Sequence, residues 1–195
     1  MDAMTTTCPS YSTWLHSPAK RWGDLTFCAL ATAPAMIAML LIALAVLLRD
    51  GWPIVLRQPR MGMSGKPFQM WKFRTMRPGA GDDECRITSL GRFLRRHRLD
   101  ELPQLFAVIA GTMSVVGPRP ELAEIASGYG PLHRQRLVAR PGLTGLWQIR
   151  GSRRKAIHEQ IEYDLLYLSR ASPCMDMWLV ARTIWFILAP KPWQI

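Results

Sequence analysis

The sequence predicts an α+β chain, mainly helical, held to a membrane by an apolar segment near its N-terminus. Three observations predict this. Leu25 to Leu48 is a run of 24 residues without one charge. Two extended stretches between residues 53 and 76 flank a glycine-bearing turn, the signature of a small β-hairpin. The rest shows helical periodicity punctuated by proline and glycine, and closes on an apolar segment with Trp178 and Trp185.

The elements are taken in chain order. Residues 1–19 are polar and read as a flexible N-terminus. They do not make a signal peptide, because the apolar run behind them is too long for an ordinary h-region, so the segment is expected to be retained. A straight helix over the run would measure ~36 Å and cross a ~30 Å hydrocarbon core. Pro34 opposes that reading, since it removes a backbone hydrogen bond nine residues in, and neither arm alone crosses. The flanks oppose it too: Lys20 and Arg21 precede the run, and Arg49, Arg57 and Arg60 come after it. Positive flanks favour the cytoplasm, and a re-entrant hairpin keeps both there, whereas a spanning helix satisfies one. Thr32 is placed to bond carbonyls freed at the bend.

Pro53 to Gln58 and Phe68 to Thr75 are the expected strands, turned by Gly62-Met63-Ser64-Gly65. Residues 78–83 form a loop whose neighbours Asp82, Asp83 and Glu84 read as solvated. A helix is expected from about Thr88 to Arg98, burying Leu90, Phe93 and Leu94. A second runs from about Glu101 to Ala110 and stops at Gly111. Val115 to Glu121 reads as irregular. Residues 155–171 carry an amphipathic pattern through Ile157, Ile161, Leu165 and Leu168. Met175 to Leu188 is apolar but holds Asp176 and Arg182, which suits an interfacial helix.

Charge bounds the chemistry. Twenty-five Lys and Arg against 14 Asp and Glu leave a net +11, which attracts nucleic acid, anionic lipid head groups or a phosphate-rich substrate. The uncharged run speaks against nucleic acid. Cys8, Cys28, Cys85 and Cys174 have no metal-binding spacing. The informative stretch is Leu99-Asp100-Glu101-Leu102-Pro103-Gln104-Leu105. Pro103 belongs in a helix's first turn, so taken alone Asp100 reads as an N-cap and Glu101 as its dipole partner. The same position keeps a carboxylate ionised and able to attack phosphorus, while its neighbour holds Mg²⁺. Arg86, Arg92, Arg95, Arg96 and Arg98 stand just upstream as phosphate donors. Arg119 sits between Pro118 and Pro120, and Arg140 opens a stiff Pro-Gly loop. The P-loop pattern is absent.

These anchors, in order, resemble the bacterial sugar transferase family of small monotopic phosphoglycosyl transferases: Lys20-Arg21 with Asp24; a proline in the apolar run; Gln58-x-Arg60-x-Gly62; Lys72-Phe73-Arg74-Thr75-Met76; Leu99 to Leu105; Met113 to Pro120; Arg140 to Gly145 with Gln148; and Asp164 with Tyr167. The resemblance covers Lys20 to about Leu188. It implies a polyprenyl-phosphate sugar-1-phosphate transferase at the cytoplasmic face of the bacterial inner membrane, moving a sugar phosphate from a UDP-sugar to a polyprenyl phosphate and releasing UMP. It further implies Asp100 as nucleophile, Glu101 as Mg²⁺ ligand beside Asp100, and Lys72, Arg95, Arg119, Arg140, Gln148 and Asp164 as substrate-binding or supporting residues. Residues 20–50 would then be the re-entrant membrane helix, broken at Pro34, and 51–195 the membrane-associated catalytic domain. Larger relatives carry a spanning bundle before this core, so the chain reads as the minimal form.

The chain departs from the family pattern at four places. Ala33 precedes the proline where a serine is usual. Ala107 and Thr112 replace an Asn and an Asp after the dyad. Arg150-Gly151-Ser152-Arg153 shifts an arginine by one. Two other readings stay open: an inactive relative, or a basic membrane-anchored scaffold. The sugar, the pathway (a glycoconjugate or an exopolysaccharide) and the oligomeric state, homodimer included, are not in the sequence.

Overall fold

The computed structural model describes residues 11–79, 83–151 and 156–188. Nine helices are found among them: α1 Pro18–Asp50, α2 Asp83–Arg86, α3 Ser89–Arg96, α4 Leu105–Ile109, α5 Ala123–Ser127, α6 Pro131–Arg134, α7 Leu146–Arg150, α8 Ile161–Arg170 and α9 Pro173–Leu188. Four short strands join them: β1 Val55–Met61, β2 Pro67–Phe73, β3 Ser114–Val116 and β4 Gly142–Thr144. Of the expected acidic loop, Asp83 and Glu84 begin α2, and Asp82 lies outside the described residues, as do Ser152 and Arg153.

Residues 11–17 are ordered, contrary to the expected flexible start. Ser12 donates through its amide to Leu168 O and through its hydroxyl to Ala171 O. The Trp14 indole donates to Asp176 at 2.8 Å, and Leu15 is buried. Residues 1–10 lie outside the described residues. Ser17 then caps α1, its hydroxyl accepting from Lys20 N, with Pro18 at the first helical position.

α1 continues helical through Pro34 to Asp50. Thr32 Oγ1 does bond a carbonyl, but that of Cys28, at 2.6 Å. A helical threonine reaches the carbonyl four residues back, whereas Pro34 deprives that of Leu30. Ala35, Met39, Ile42 and Val46 recur at helical spacing and face the core. The other faces keep Leu30, Ile37, Leu40, Leu41 and Leu48 more than 60% exposed. An apolar helix so little buried has hydrocarbon, not protein, as its natural neighbour.

Both ends of α1 are tied to the same body. At the start, Lys20 pairs with Asp176 at 2.7 Å, Asp24 accepts from Ser114 Oγ and Val115 N, and Arg21 donates to Val108 O and Ile109 O. At the finish, Arg74 donates to the carbonyls of Asp50, Gly51 and Trp52, and Thr88 Oγ1 donates to Asp50 Oδ2.

β1 and β2 form the expected antiparallel hairpin, pairing Val55 with Phe73 and Met61 with Pro67. Its turn needs left-handed backbone at Ser64 (φ 58°) and Gly65 (φ 73°). Val115 and Val116, expected to be irregular, belong instead to β3, which pairs in parallel with β4. Gly117 and Gly142 allow this close approach: a Cβ on Gly142 would lie 2.1 Å from Gly117 N. A three-residue strand whose partner is distant in the chain leaves no periodic signal.

α3 buries Gly91 and Leu94, while Phe93 is 53% exposed rather than buried. Gly91 faces Thr75 O so closely that a Cβ there would clash at 2.1 Å. Gln160, just before α8, and Asp164, Tyr167 and Leu168 within it point inward. The face is rotated from the expected aliphatic one because Asp164 and Tyr167 are used in buried polar contacts. α9 buries Leu179 and Phe186 and exposes Met177, Trp178, Trp185 and Leu188.

Candidate active site

The segment carrying the dyad is a 3₁₀ turn, Leu99–Gln104, running into α4. Its N-cap is Arg98, in left-handed backbone (φ 54°), so Asp100 is not the cap but lies inside the first turn. The turn packs on β2, whose alternate residues reach opposite faces. Together they open a pocket of about 300 Å³ lined by Arg60, Met70, Lys72, Arg95, Arg98, Asp100, Glu101, Arg119 and Trp147.

Five cations therefore surround two carboxylates. Glu101 accepts from Arg119 Nη2 at 2.8 Å, and that pairing raises the Arg119 pKa. Arg119 also lies over the Trp147 ring, 5.7 Å from its centroid. Arg95 is steadied by Thr75 Oγ1 at 2.8 Å, and Lys72 by Gln58 Oε1 at 3.1 Å. Burial, with Arg60 and Arg95 alongside, lowers the Lys72 pKa. Burial, with Arg119 alongside, lowers that of Arg60. Five cations against two carboxylates leave the lining net positive, and that charge attracts a polyanion into the pocket.

Asp100 is 9% exposed. Burial first, then Glu101, pushes its carboxyl up to about 6, against the pull of Arg95 and Lys72. Burial thus opposes the ionisation expected of a carboxylate at the turn's start. At neutral pH the carboxylate form still prevails. No group of three metal-ligating side chains occurs among the described residues, so any cation here would depend on the two carboxylates and on substrate oxygens.

The pocket thus brings together Lys72, Arg95, Asp100, Glu101 and Arg119 from among the sequence candidates. Three candidates stand outside its lining. Arg140 donates to Gly111 O at 3.0 Å. The Gln148 side chain is buried without a hydrogen-bond partner, while its carbonyl accepts from Arg98. Asp164 is 1% exposed and pairs with Arg136 at 2.6 Å; burial pushes its carboxyl up to about 6. Its link to the pocket is indirect, since Arg136 also donates to Arg119 O at 2.6 Å. Arg98, one of the arginines read from the sequence as phosphate donors, also lines the pocket, as do Arg60 and Trp147, which sequence reasoning did not make site residues. One signal could have found Arg60: it belongs to the Gln58-x-Arg60 motif.

The model of the family described as "Bacterial sugar transferase" matches residues 15–190. The chain belongs to the bacterial sugar transferase family. Among curated members, a UDP-glucose:undecaprenyl-phosphate glucose-1-phosphate transferase of Klebsiella pneumoniae is 39% identical over 85% of this chain and 39% of its own length. One of the same description from Caulobacter vibrioides is 40% identical over 85% of this chain and 68% of its own. The uncharacterized sugar transferase EpsL of Bacillus subtilis is 35% identical over 88% of both. The chain thus spans about two fifths of the Klebsiella relative's length. The family match covers every element around the pocket, from α1 to α9.

Proposed function

We propose that the chain transfers a sugar 1-phosphate from a UDP-sugar to a polyprenyl phosphate, with Asp100 as nucleophile. The observation that carries this is a carboxylate dyad, with Asp100 buried, set among five cations in one pocket. The names of the relatives point to UDP-glucose and undecaprenyl phosphate as the first pair to try.

The chain's own groups divide the work. Lys72, Arg60, Arg95 and Arg98 bind the diphosphate as donors from the pocket lining. An Asp100 oxygen attacks the phosphorus that bears the sugar; a P–O bond forms and the bond to the bridging oxygen breaks. UMP leaves with that electron pair, and an acyl phosphate carrying the sugar remains on Asp100. A polyprenyl phosphate oxygen then attacks the same phosphorus, and Asp100 departs as carboxylate. Arg119 holds Glu101 in place beside it. Glu101 and Asp100 would hold Mg²⁺, which would neutralise charge on the substrate.

The same reading seats α1 as a re-entrant helix on the cytoplasmic face. Support comes from its two ends, both hydrogen-bonded to the one body that carries the pocket. A helix crossing a bilayer would deliver those ends to opposite sides. Anionic lipids would meet the basic flanks.

A screen of UDP-sugars with Mg²⁺ and undecaprenyl phosphate, read as UMP release, tests the activity and names the donor. UMP release from one donor, lost in Asp100→Asn, is the expected outcome. Substantial turnover by Asp100→Asn would remove the nucleophile assignment. Tags at both termini should report the cytoplasm; a periplasmic N-terminus would refute the re-entrant seat.

A further inference from the structure

β2 and the 99–104 turn have a second concave surface, opposite in character to the charged pocket. Met70 and Lys72 of β2 line the pocket, whereas Gln69 and Trp71 line this groove. Asp100 and Glu101 serve the pocket, and Pro103, two residues on, serves the groove. Its floor is α4 with the residues just after it, through Phe106, Ala107, Ala110 and Thr112. The groove has a volume of about 330 Å³ and no charged residue lines it. Such a volume lies within the range of small-molecule sites, roughly 300–1,000 Å³.

Three further facts bear on what fills it. Trp71 and Phe106 are each more than 40% exposed, although they are among the largest apolar side chains of the groove. The Arg57 guanidinium lies 4.8 Å from the Trp71 ring centroid, so a cation stands on the groove's rim. Ala107 and Thr112 also line it, and the Thr112 hydroxyl donates to Ala107 O at 3.0 Å, so its proton is already used within the wall. α4 also packs along α1, the apolar helix, where Arg21 grips its last carbonyls. The helix that floors the groove therefore contacts the membrane-seated element, and its β2 wall is shared with the cationic pocket.

We propose that this groove holds the isoprenoid chain of the acceptor nearest its phosphate, while the phosphate enters the charged pocket. The inference rests on the transfer reaction proposed above. An amphiphile with an anionic head and a hydrocarbon tail matches two surfaces that share one wall, one cationic and one apolar. Burial of the tail fixes the head at Asp100 and draws the acceptor out of the bilayer plane without a charged contact of its own.

The test uses the full chain with undecaprenyl phosphate in detergent micelles. Ala110→Trp fills the groove and Ala107→Asp puts a charge into it. Each should raise the acceptor KM roughly tenfold. The donor KM and the UMP burst with UDP-sugar alone should stay as in the wild type, which also shows that the variant is folded. Phe106→Ser, which removes a wall, decides the matter should a filling variant lose the burst. Binding of undecaprenyl phosphate without donor should weaken by the same factor. That readout stands even if no UDP-sugar turns over, so a failed reaction and a failed groove are told apart. Unchanged acceptor KM and unchanged acceptor binding overturn the proposal. So does a variant that loses affinity for phosphatidylglycerol vesicles while keeping acceptor affinity, for the groove would then hold a bilayer acyl chain.

Discussion

Two buried clusters of charge, joined through Arg119, are built on opposite principles. Around Arg136 the charges are matched and closed. Asp164 pairs with it at 2.6 Å, and the Tyr129 hydroxyl and Arg119 carbonyl accept from it at 2.9 Å and 2.6 Å. Around Asp100 the charges are uneven and open: five cations and two carboxylates line a pocket of about 300 Å³. The closed cluster spends its charge on the fold, joining α8 to the stretch that carries Arg119. The open cluster keeps its charge for something that arrives. Burial alone does not tell them apart, since burial raises the carboxyl of both Asp100 and Asp164 to about 6. What differs is that one set of charges is closed on itself and the other opens on a pocket.

The largest effect should come from breaking the closed cluster. Arg136→Met leaves Asp164 buried without its partner and should lower unfolding stability by ~3–5 kcal/mol in denaturant titration. Pairing it with Asp164→Leu should return much of that loss, because no orphaned charge remains. A recovery of nothing would mean that the pair does more than match charge.

The open cluster should respond the other way. Lys72→Met should raise the donor KM roughly a hundredfold, with a melting temperature equal to or above wild type. Its cation is held at a cost, as its lowered pKa records. A large stability loss would place Lys72 with the fold and not with the site.

The smallest effect concerns Asp100 in the absence of divalent cation. Its folded pKa of about 6 lies above the ordinary carboxylate value. The stability this group allows is therefore complete below about pH 4 and falls as pH rises through about 6. Asp100→Asn, which stays neutral, should stabilise the protein by ~1–2 kcal/mol at pH 7. Thermal melts should show that gain vanish towards pH 4. A gain that grew on acidification would reverse the assigned cause.

Sequence made the open cluster legible and the closed one obscure, for a physical reason. Asp100, Glu101, Lys72, Arg95 and Arg119 lie in short runs whose spacing already fixes the local backbone. The β-hairpin, with its Gly62–Gly65 turn, is equally visible. Asp164, Arg140 and Gln148 are site candidates by resemblance to the family, and only tertiary packing shows that Asp164 pairs with Arg136 and that all three stand outside the pocket lining. Trp147 and the β3–β4 pair are hidden because parallel contacts between distant segments leave no period in the chain. Pro34 gives a break in hydrogen bonding but no angle, and α1 continues helical through it.

Everything proposed for the pocket turns on Asp100 taking the sugar phosphate onto its own oxygen. Intact mass spectrometry of the acid-quenched protein, after incubation with Mg²⁺ and the active UDP-sugar but no acceptor, looks for that bond itself. The expected spectrum shows a gain of one sugar phosphate, mapped to the peptide bearing Asp100, reversed by undecaprenyl phosphate and absent in Asp100→Asn. The same adduct in Asp100→Asn, or full turnover with no adduct at all, would contradict it.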